Sequence, residues 1–253
     1  MCTVTWLWES ERFTLLFNRD EQRARLPAEP PRIWDVDGHT ILAPRDGPAG
    51  GTWLAANRQG LVVCLLNYYE REPGSASRQG EAPESRGLLV LEAATGSNLA
   101  ALTESLAERS LSRMRPFHLL AFDTRASRGR YWLWDGDEVQ VAEIDDALCP
   151  VTTSSYASQA VVAYRRALFH AWRDRAGGAL SVDALERYHH SRHQEADAYS
   201  VFMSRTDAQT VSVTRVEVVR DEVRMVYQPR PPEAQDALSF SAVLALTPSE
   251  AQG

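Results

Sequence analysis

The chain opens on a period-two pattern. Residues 3–8 alternate polar and apolar, predicting a strand, and residues 13–17 form a short apolar run beyond the charged turn from Glu9 to Arg12. A proline-marked loop through Pro27, Pro30 and Pro31 follows, then candidate strands at residues 40–43, 52–56 and 61–66. The break Asn57-Arg58-Gln59-Gly60 reads as a hairpin turn, with Gly60 available for positive φ. Residues 70–86 hold almost nothing apolar, and a loop of that length is usually functional or mobile. Residues 87–108 suit two short helices broken near Gly96-Ser97-Asn98, where Ser97 or Asn98 caps the second. Strands return at 117–122, 131–134 and 139–144. Val161, Tyr164, Leu168 and Trp172 recur at three- and four-residue intervals, which makes residues 158–173 a helix, and a second helix covers 182–192. The last quarter is again β, at 199–203, 210–219, 223–227 and 238–246, before a short tail at 247–253.

Strand block, helices, strands, helices and strands follow in turn, and the local hairpins favour antiparallel pairing over βαβ crossovers. Two antiparallel sheets with helices packed outside, a four-layer αββα sandwich of the α+β class, bury this pattern well. No internal repeat is evident and no linker is polar enough to divide the chain, so all 253 residues read as one domain.

Charge narrows the possibilities. With 27 basic against 34 acidic residues and a net charge of −7, no basic excess exists to neutralise phosphates, and a nucleic-acid partner is not expected. Every basic residue is arginine, which removes Schiff-base chemistry, a P-loop lysine and a lysine general base. Cys2, Cys64 and Cys149 make no CxxC pair and no even-numbered disulfide framework, which suits a reducing compartment. The first residues lack a basic stretch, and Glu9, Glu11 and Arg12 interrupt any apolar run, so no signal peptide is expected. No segment approaches the roughly 20 apolar residues of a membrane helix. The expectation is a soluble, cytoplasmic protein without a membrane span, acting on a small molecule.

Cys2 is the most informative position. Once the initiator Met is removed, it carries a nucleophile and a free α-amine on one residue. An α-amine titrates near pH 7.7–8.0 and a thiol near 8.5, so the amine can take the thiol proton at neutral pH, with roughly those reference values. The alternative is a small buried residue at a strand end. Asn18-Arg19-Asp20-Glu21 ends the second predicted strand; such a cluster is either a solvated turn or, if the first two strands pair, a set of side chains brought beside Cys2. Arg19 would then lower the thiol pKa and Asp20 would hold the α-ammonium or a substrate amine. Asn67, closing an apolar strand before Tyr68 and Tyr69, either starts a turn or offers its amide to an oxyanion.

Met1-Cys2, Asn18-Arg19-Asp20-Glu21, Gly50-Gly51-Thr52-Trp53-Leu54, Leu66-Asn67-Tyr68 and Ser85-Arg86-Gly87 occur in order, at spacings that resemble the NRDE family, whose eukaryotic members include the transport and Golgi organization protein 2. The match covers roughly the first 90 residues well; beyond Gly87 only residues 151–155 and the stretch from Ser204-Arg205 to Ser212 align, loosely. The family resembles N-terminal nucleophile hydrolases, with similarity to choloylglycine hydrolases and penicillin V acylases. The resemblance implies an αββα fold, Cys2 as nucleophile, Arg19 and Asp20 as site residues and Asn67 as oxyanion donor. It adds Asn18, Trp53, Tyr68, Ser155 and Arg205 as candidate substrate contacts. Arg19 and Asp20 are adjacent here, whereas the relatives separate the two. Ser154 or Ser155 stands where they carry a second Asn, and Ala55 where family members often have Gly. The implied activity is hydrolysis of a non-peptide amide or related acyl bond; the alternative is a non-catalytic protein that binds or traffics haem, acyl-CoA or lipid. No CxxCH haem-attachment motif is present, and no cofactor is expected.

His189, His190 and His193 share a predicted helix near Asp197, but the Glu of a metalloprotease helix is missing, so a solvated helix face is expected rather than a metal site. His39 and His170 are isolated, and His118 sits in an apolar strand as a hydrogen-bonded sheet residue. Trp6 with Trp8, and Trp132 with Trp134, share strand faces that point to the core, while Trp53 beside two glycines is a core residue or a pocket wall. No dinucleotide fingerprint or nucleophile elbow is present.

Overall fold

The computed structural model describes residues 1–47, 49–70, 83–178, 180–231 and 238–248. In the first half of the chain the strands are β1 (Cys2–Glu9), β2 (Arg12–Gln22), β3 (Glu29–Val36), β4 (His39–Arg45), β5 (Leu54–Asn57) and β6 (Leu61–Asn67). Helices α1 (Arg86–Ala93) and α2 (Leu99–Glu108) follow, then β7 (Phe117–Asp123), β8 (Arg128–Trp134), β9 (Val139–Glu143) and β10 (Val151–Thr153). Helices α3 (Ser158–Arg175) and α4 (Val182–His189) precede β11 (Ala208–Val219), β12 (Glu222–Pro229) and β13 (Phe240–Ala245). The helix pair forms where expected, Asn98 capping α2 by accepting from the amides of Ala100 and Ala101. Gly60 takes φ +85° in the β5–β6 turn, a conformation open to glycine at no steric cost.

Two antiparallel sheets stack face to face, in the orders β10-β1-β2-β11-β12-β13 and β3-β4-β5-β6-β7-β8-β9. Helices α3 and α4 cover the first sheet, and α1 and α2 cover the second. The layers are therefore α, β, β and α. Between the sheets, Val4, Trp6, Leu15 and Phe17 meet Leu54, Val62, Leu66 and Phe122, with the Trp6 and Phe122 rings 5.3 Å apart. A second core of Val63, Leu89, Val90, Leu119, Trp132 and Trp134 fills the space between the second sheet and its helices. Burying a side chain of this size contributes about 1.5–3 kcal/mol.

Four expectations change. Strand β2 runs on to Gln22, so Asn18-Arg19-Asp20-Glu21 lies inside a strand and not in a turn beyond it. Pro30 and Pro31 belong to β3, an edge strand where a missing amide hydrogen costs no ladder bond. Residues 199–203 form no strand; a 3-10 turn, Asp197–Tyr199, leads into bends. Strand β10 is three residues long and went unforeseen. Of the long loop expected at 70–86, residues 71–82 lie outside the described residues and Arg86 already begins α1; of the tail, 249–253 lie outside them. Among the described residues no helix is long and apolar enough to cross a membrane.

Candidate active site

Strand order brings the start of the chain into the interior of the first sheet. Cys2 pairs with Arg19 of β2 on one side and with Thr153 of β10 on the other, and Asp20 pairs with Thr210 of β11. Side-chain alternation then sorts the residues. Cys2, Val4 and Trp6 face the opposite sheet, as do Leu15 and Phe17. Thr3, Thr5, Asn18 and Asp20 face the helix layer, where they meet Arg165 and His189. Arg19 and Asp20, adjacent in sequence, thus serve opposite faces.

On the inter-sheet side lies a cavity of about 1430 Å³ whose wall includes Cys2, Arg19, Asp20 and Asn67. Trp53, Tyr68, Ser155 and Arg205 line it as well. Cys2 is 8% exposed at its edge. Burial pushes the Cys2 thiol up, while the ammonium at the chain start and, more weakly, Arg19 pull it down. Arg19 is held rigidly, its guanidinium 4.2 Å above the Trp53 ring and its Nη2 2.8 Å from Asp46 Oδ2. Asp46 also binds Arg25 at 2.6 Å.

Met1 occupies the chain start, buried to 7% exposure. Its ammonium donates to the Tyr69 hydroxyl at 3.1 Å, and Asn67 Nδ2 donates to the same oxygen at 2.9 Å. Burial works against that ammonium, but Cys2, Tyr69 and Asp20 outweigh it and hold its pKa above the usual α-amine range. The Met1 carbonyl accepts from the Asp20 amide at 3.1 Å, and its sulfur accepts from Arg205 Nη1 at 3.5 Å and Ser154 Oγ at 3.7 Å. The Cys2 nitrogen is an amide here, donating to Thr153 Oγ1 at 3.1 Å.

The Asp20 carboxylate turns beneath this floor. Its Oδ1 accepts from Thr210 Oγ1 at 2.6 Å, and its Oδ2 lies 3.7 Å from Nη1 of Arg165, which is fully buried. Arg165 also donates to the hydroxyls of Thr3 at 3.2 Å and Thr152 at 3.3 Å, and to the Tyr199 carbonyl at 3.3 Å. Burial pushes the Asp20 carboxyl up, and Arg165 draws it back.

Asn18 does not reach the cavity, contrary to its expected substrate contact. Fully buried, its Nδ2 donates to the carbonyls of His189 at 2.7 Å and Val201 at 3.0 Å, and its Oδ1 lies 2.6 Å from His189 Nδ1. His189 is likewise no solvated face residue. It is fully buried, with Nε2 2.8 Å from Thr5 Oγ1, and burial pushes its pKa down to about 3. Tyr69, Thr153, Asp46 and Arg165 were missed in the sequence. Tyr69 stood beside the chosen Tyr68, Arg165 read as the polar flank of a helix, and Thr153 lay inside the loosely aligned stretch 151–155; Asp46 carried no pattern. Among the described residues no group of three His, Cys, Asp or Glu side chains is arranged to hold a metal ion.

Several solved structures share this architecture. A variant of conjugated bile acid hydrolase from Clostridium perfringens superposes with a TM-score of 0.58 at 11% identity, covering 99% of each chain. Penicillin V acylase from Agrobacterium tumefaciens gives 0.55 at 11% identity over 95% of this chain and 85% of its own. The Caenorhabditis elegans ortholog of N-acylethanolamine-hydrolyzing acid amidase gives 0.59 at 8% identity over 85% and 92%. The fold is thus of the N-terminal-nucleophile hydrolase type. No curated protein matches the chain in sequence. The family model described as Transport and Golgi organisation 2 matches residues 1–223, and the chain belongs to that family.

Proposed function

We propose that the protein is an N-terminal cysteine hydrolase acting on a non-peptide amide or related acyl bond of a small molecule. The observation that carries this reading is the convergence of Cys2, Arg19 and Asn67 on one cavity at the chain start. With Met1 removed, the Cys2 nitrogen becomes an α-amine beside Thr153 Oγ1 and takes the proton of its own thiol. The thiolate attacks the acyl carbon, and Asn67, whose Nδ2 donates to the Tyr69 hydroxyl in the resting chain, turns that amide to the oxyanion. As the tetrahedral intermediate collapses, the carbon–nitrogen bond breaks and the α-ammonium returns its proton to the departing amine. Water, deprotonated by the same α-amine, then attacks the thioester, releasing the acid and restoring the thiol. Arg19, fixed between Trp53 and Asp46, orients the substrate and favours the thiolate.

Intact mass of the purified protein tests the first requirement, with loss of Met1 expected. An activated acyl ester should then add one acyl group at Cys2, and Cys2→Ala should abolish the adduct while melting normally. Complete retention of Met1 would leave no amine at Cys2 and exclude this mechanism.

A further inference from the structure

Ser85-Arg86-Gly87 forms part of the cavity wall, yet no step of acyl transfer uses it. Its placement is strict. Gly87 crosses Gly51 backbone to backbone, and a Cβ on Gly51 would stand 2.4 Å from the Gly87 carbonyl carbon. The Thr52 amide donates to the Gly87 carbonyl at 3.0 Å, tying the start of α1 to the residues leading into β5. Arg86, the first residue of α1, is thereby fixed in the wall, its Nη1 donating to the Pro116 carbonyl at 2.9 Å.

The other paired arginines of the wall already hold acids. Arg19 and Arg25 share Asp46, and Arg205 holds Asp207. Among the described residues no carboxylate pairs with Arg86, and Arg115 lines the same wall. Burial makes the Arg86 charge harder to keep and the like charge of Arg115 adds to that difficulty; Tyr69, Cys2 and Glu21 ease it without cancelling it. An anion between them relieves both, and the guanidinium of Arg86 suits a planar or tetrahedral oxyanion.

We propose that Arg86, backed by Arg115, receives an anionic group of the substrate, a carboxylate or a phosphate, so that the cavity selects acylated amines carrying a negative charge. The proposal rests on the acyl-transfer reading for the kind of substrate, but the charge preference is a binding property that needs no turnover.

The test uses the Cys2→Ala chain and the fluorescence of its tryptophans, Trp53 among them, in the cavity wall. Three probes are titrated: N-hexanoylglycine, its uncharged glycinamide, and N-hexanoyl-O-phosphoethanolamine. One of the two charged probes should bind about tenfold or more tightly than the glycinamide, and which one does so distinguishes carboxylate from phosphate. The gap should fall below about threefold in Arg86→Gln and survive in part in Arg86→Lys. Should Arg86→Gln fail to fold, Arg115→Gln, at an exposed position, should narrow the gap in its place. Equal affinities, no binding by any probe, or a gap indifferent to the folded variant would overturn the proposal. Failure of the hydrolase reading looks different. Charge-selective binding with no acyl-enzyme on the Cys2 protein removes catalysis alone, whereas an acyl-enzyme formed without charge preference removes the anion site alone.

Discussion

Arg165 sits with no exposed surface beneath the chain start, and its nearest opposite charge is Asp20, 3.7 Å away. Burial strips water from this guanidinium, and three protein oxygens and one carboxylate take its place in part, Nη2 having no hydrogen-bond partner among the described residues. Removing the guanidinium strands the carboxylate. Arg165→Met should therefore destabilise the fold by about 3–5 kcal/mol, as expected when one member of a buried pair is lost. Pairing it with Asp20→Asn should recover part of that loss, and urea unfolding of the single and double variants measures both. At this scale the sequence was legible in chemistry and less so in direction. Cys2, Arg19 and Asn67, picked out by residue type and order, line one cavity. Asn18 was misread because once β2 continues through Gln22 its parity turns that amide toward α4, and Arg165 because a helix flank gives no sign of how deep its neighbours lie.

Elements were easier to read where the backbone satisfies itself. Long alternating or apolar runs such as β1, β6 and β11 were recognisable from pattern alone. Residues 199–203 are also mostly apolar, yet distant partners take up their backbone groups: the Val201 carbonyl accepts from Asn18, the Phe202 amide donates to the Ser191 carbonyl and the Met203 amide donates to Thr210 Oγ1. Such partners are distant in sequence, so pattern cannot reveal them. The crossing of Gly51 with Gly87 is another tertiary demand hidden behind ordinary turn residues. Gly51→Ala pushes a methyl into the Gly87 backbone at 2.4 Å, while Gly87→Ala meets Thr52 atoms at 3.1 Å. Gly51→Ala should cost about 3 kcal/mol or more and Gly87→Ala distinctly less, since overpacking scales with the clash that must relax. Denaturant midpoints of the two variants give the order, and a larger loss for Gly87→Ala would refute the crossing as the cause.

Across the whole molecule, one buried imidazole joins three elements. His189 ends α4, binds Thr5 of β1 and Asn18 of β2, and so ties the helix layer to the strands that form the floor of the cavity. Burial holds its folded pKa at about 3, whereas the unfolded chain takes up that proton near pH 6.5, so roughly between those values the unfolded state binds more protons. Stability must therefore rise with pH across that window and fall as the solution is acidified below about pH 6.5. Between pH 7 and pH 5 the contribution of His189 amounts to about 2 kcal/mol. His118, held by burial at about 4, acts in the same sense, while Asp20, pushed upward by burial, acts in the opposite one. The imidazole's share is thus read as a difference. His189→Gln loses hydrogen bonds and should be less stable than the parent at pH 7. Its deficit should shrink by about 2 kcal/mol at pH 5, where only the parent has an imidazole to protonate on unfolding. Urea midpoints at the two pH values decide the matter: a deficit that stays constant would mean that His189 takes up its proton in the folded chain as readily as in the unfolded one, and that burial between α4 and the strands of the cavity floor does not hold it neutral.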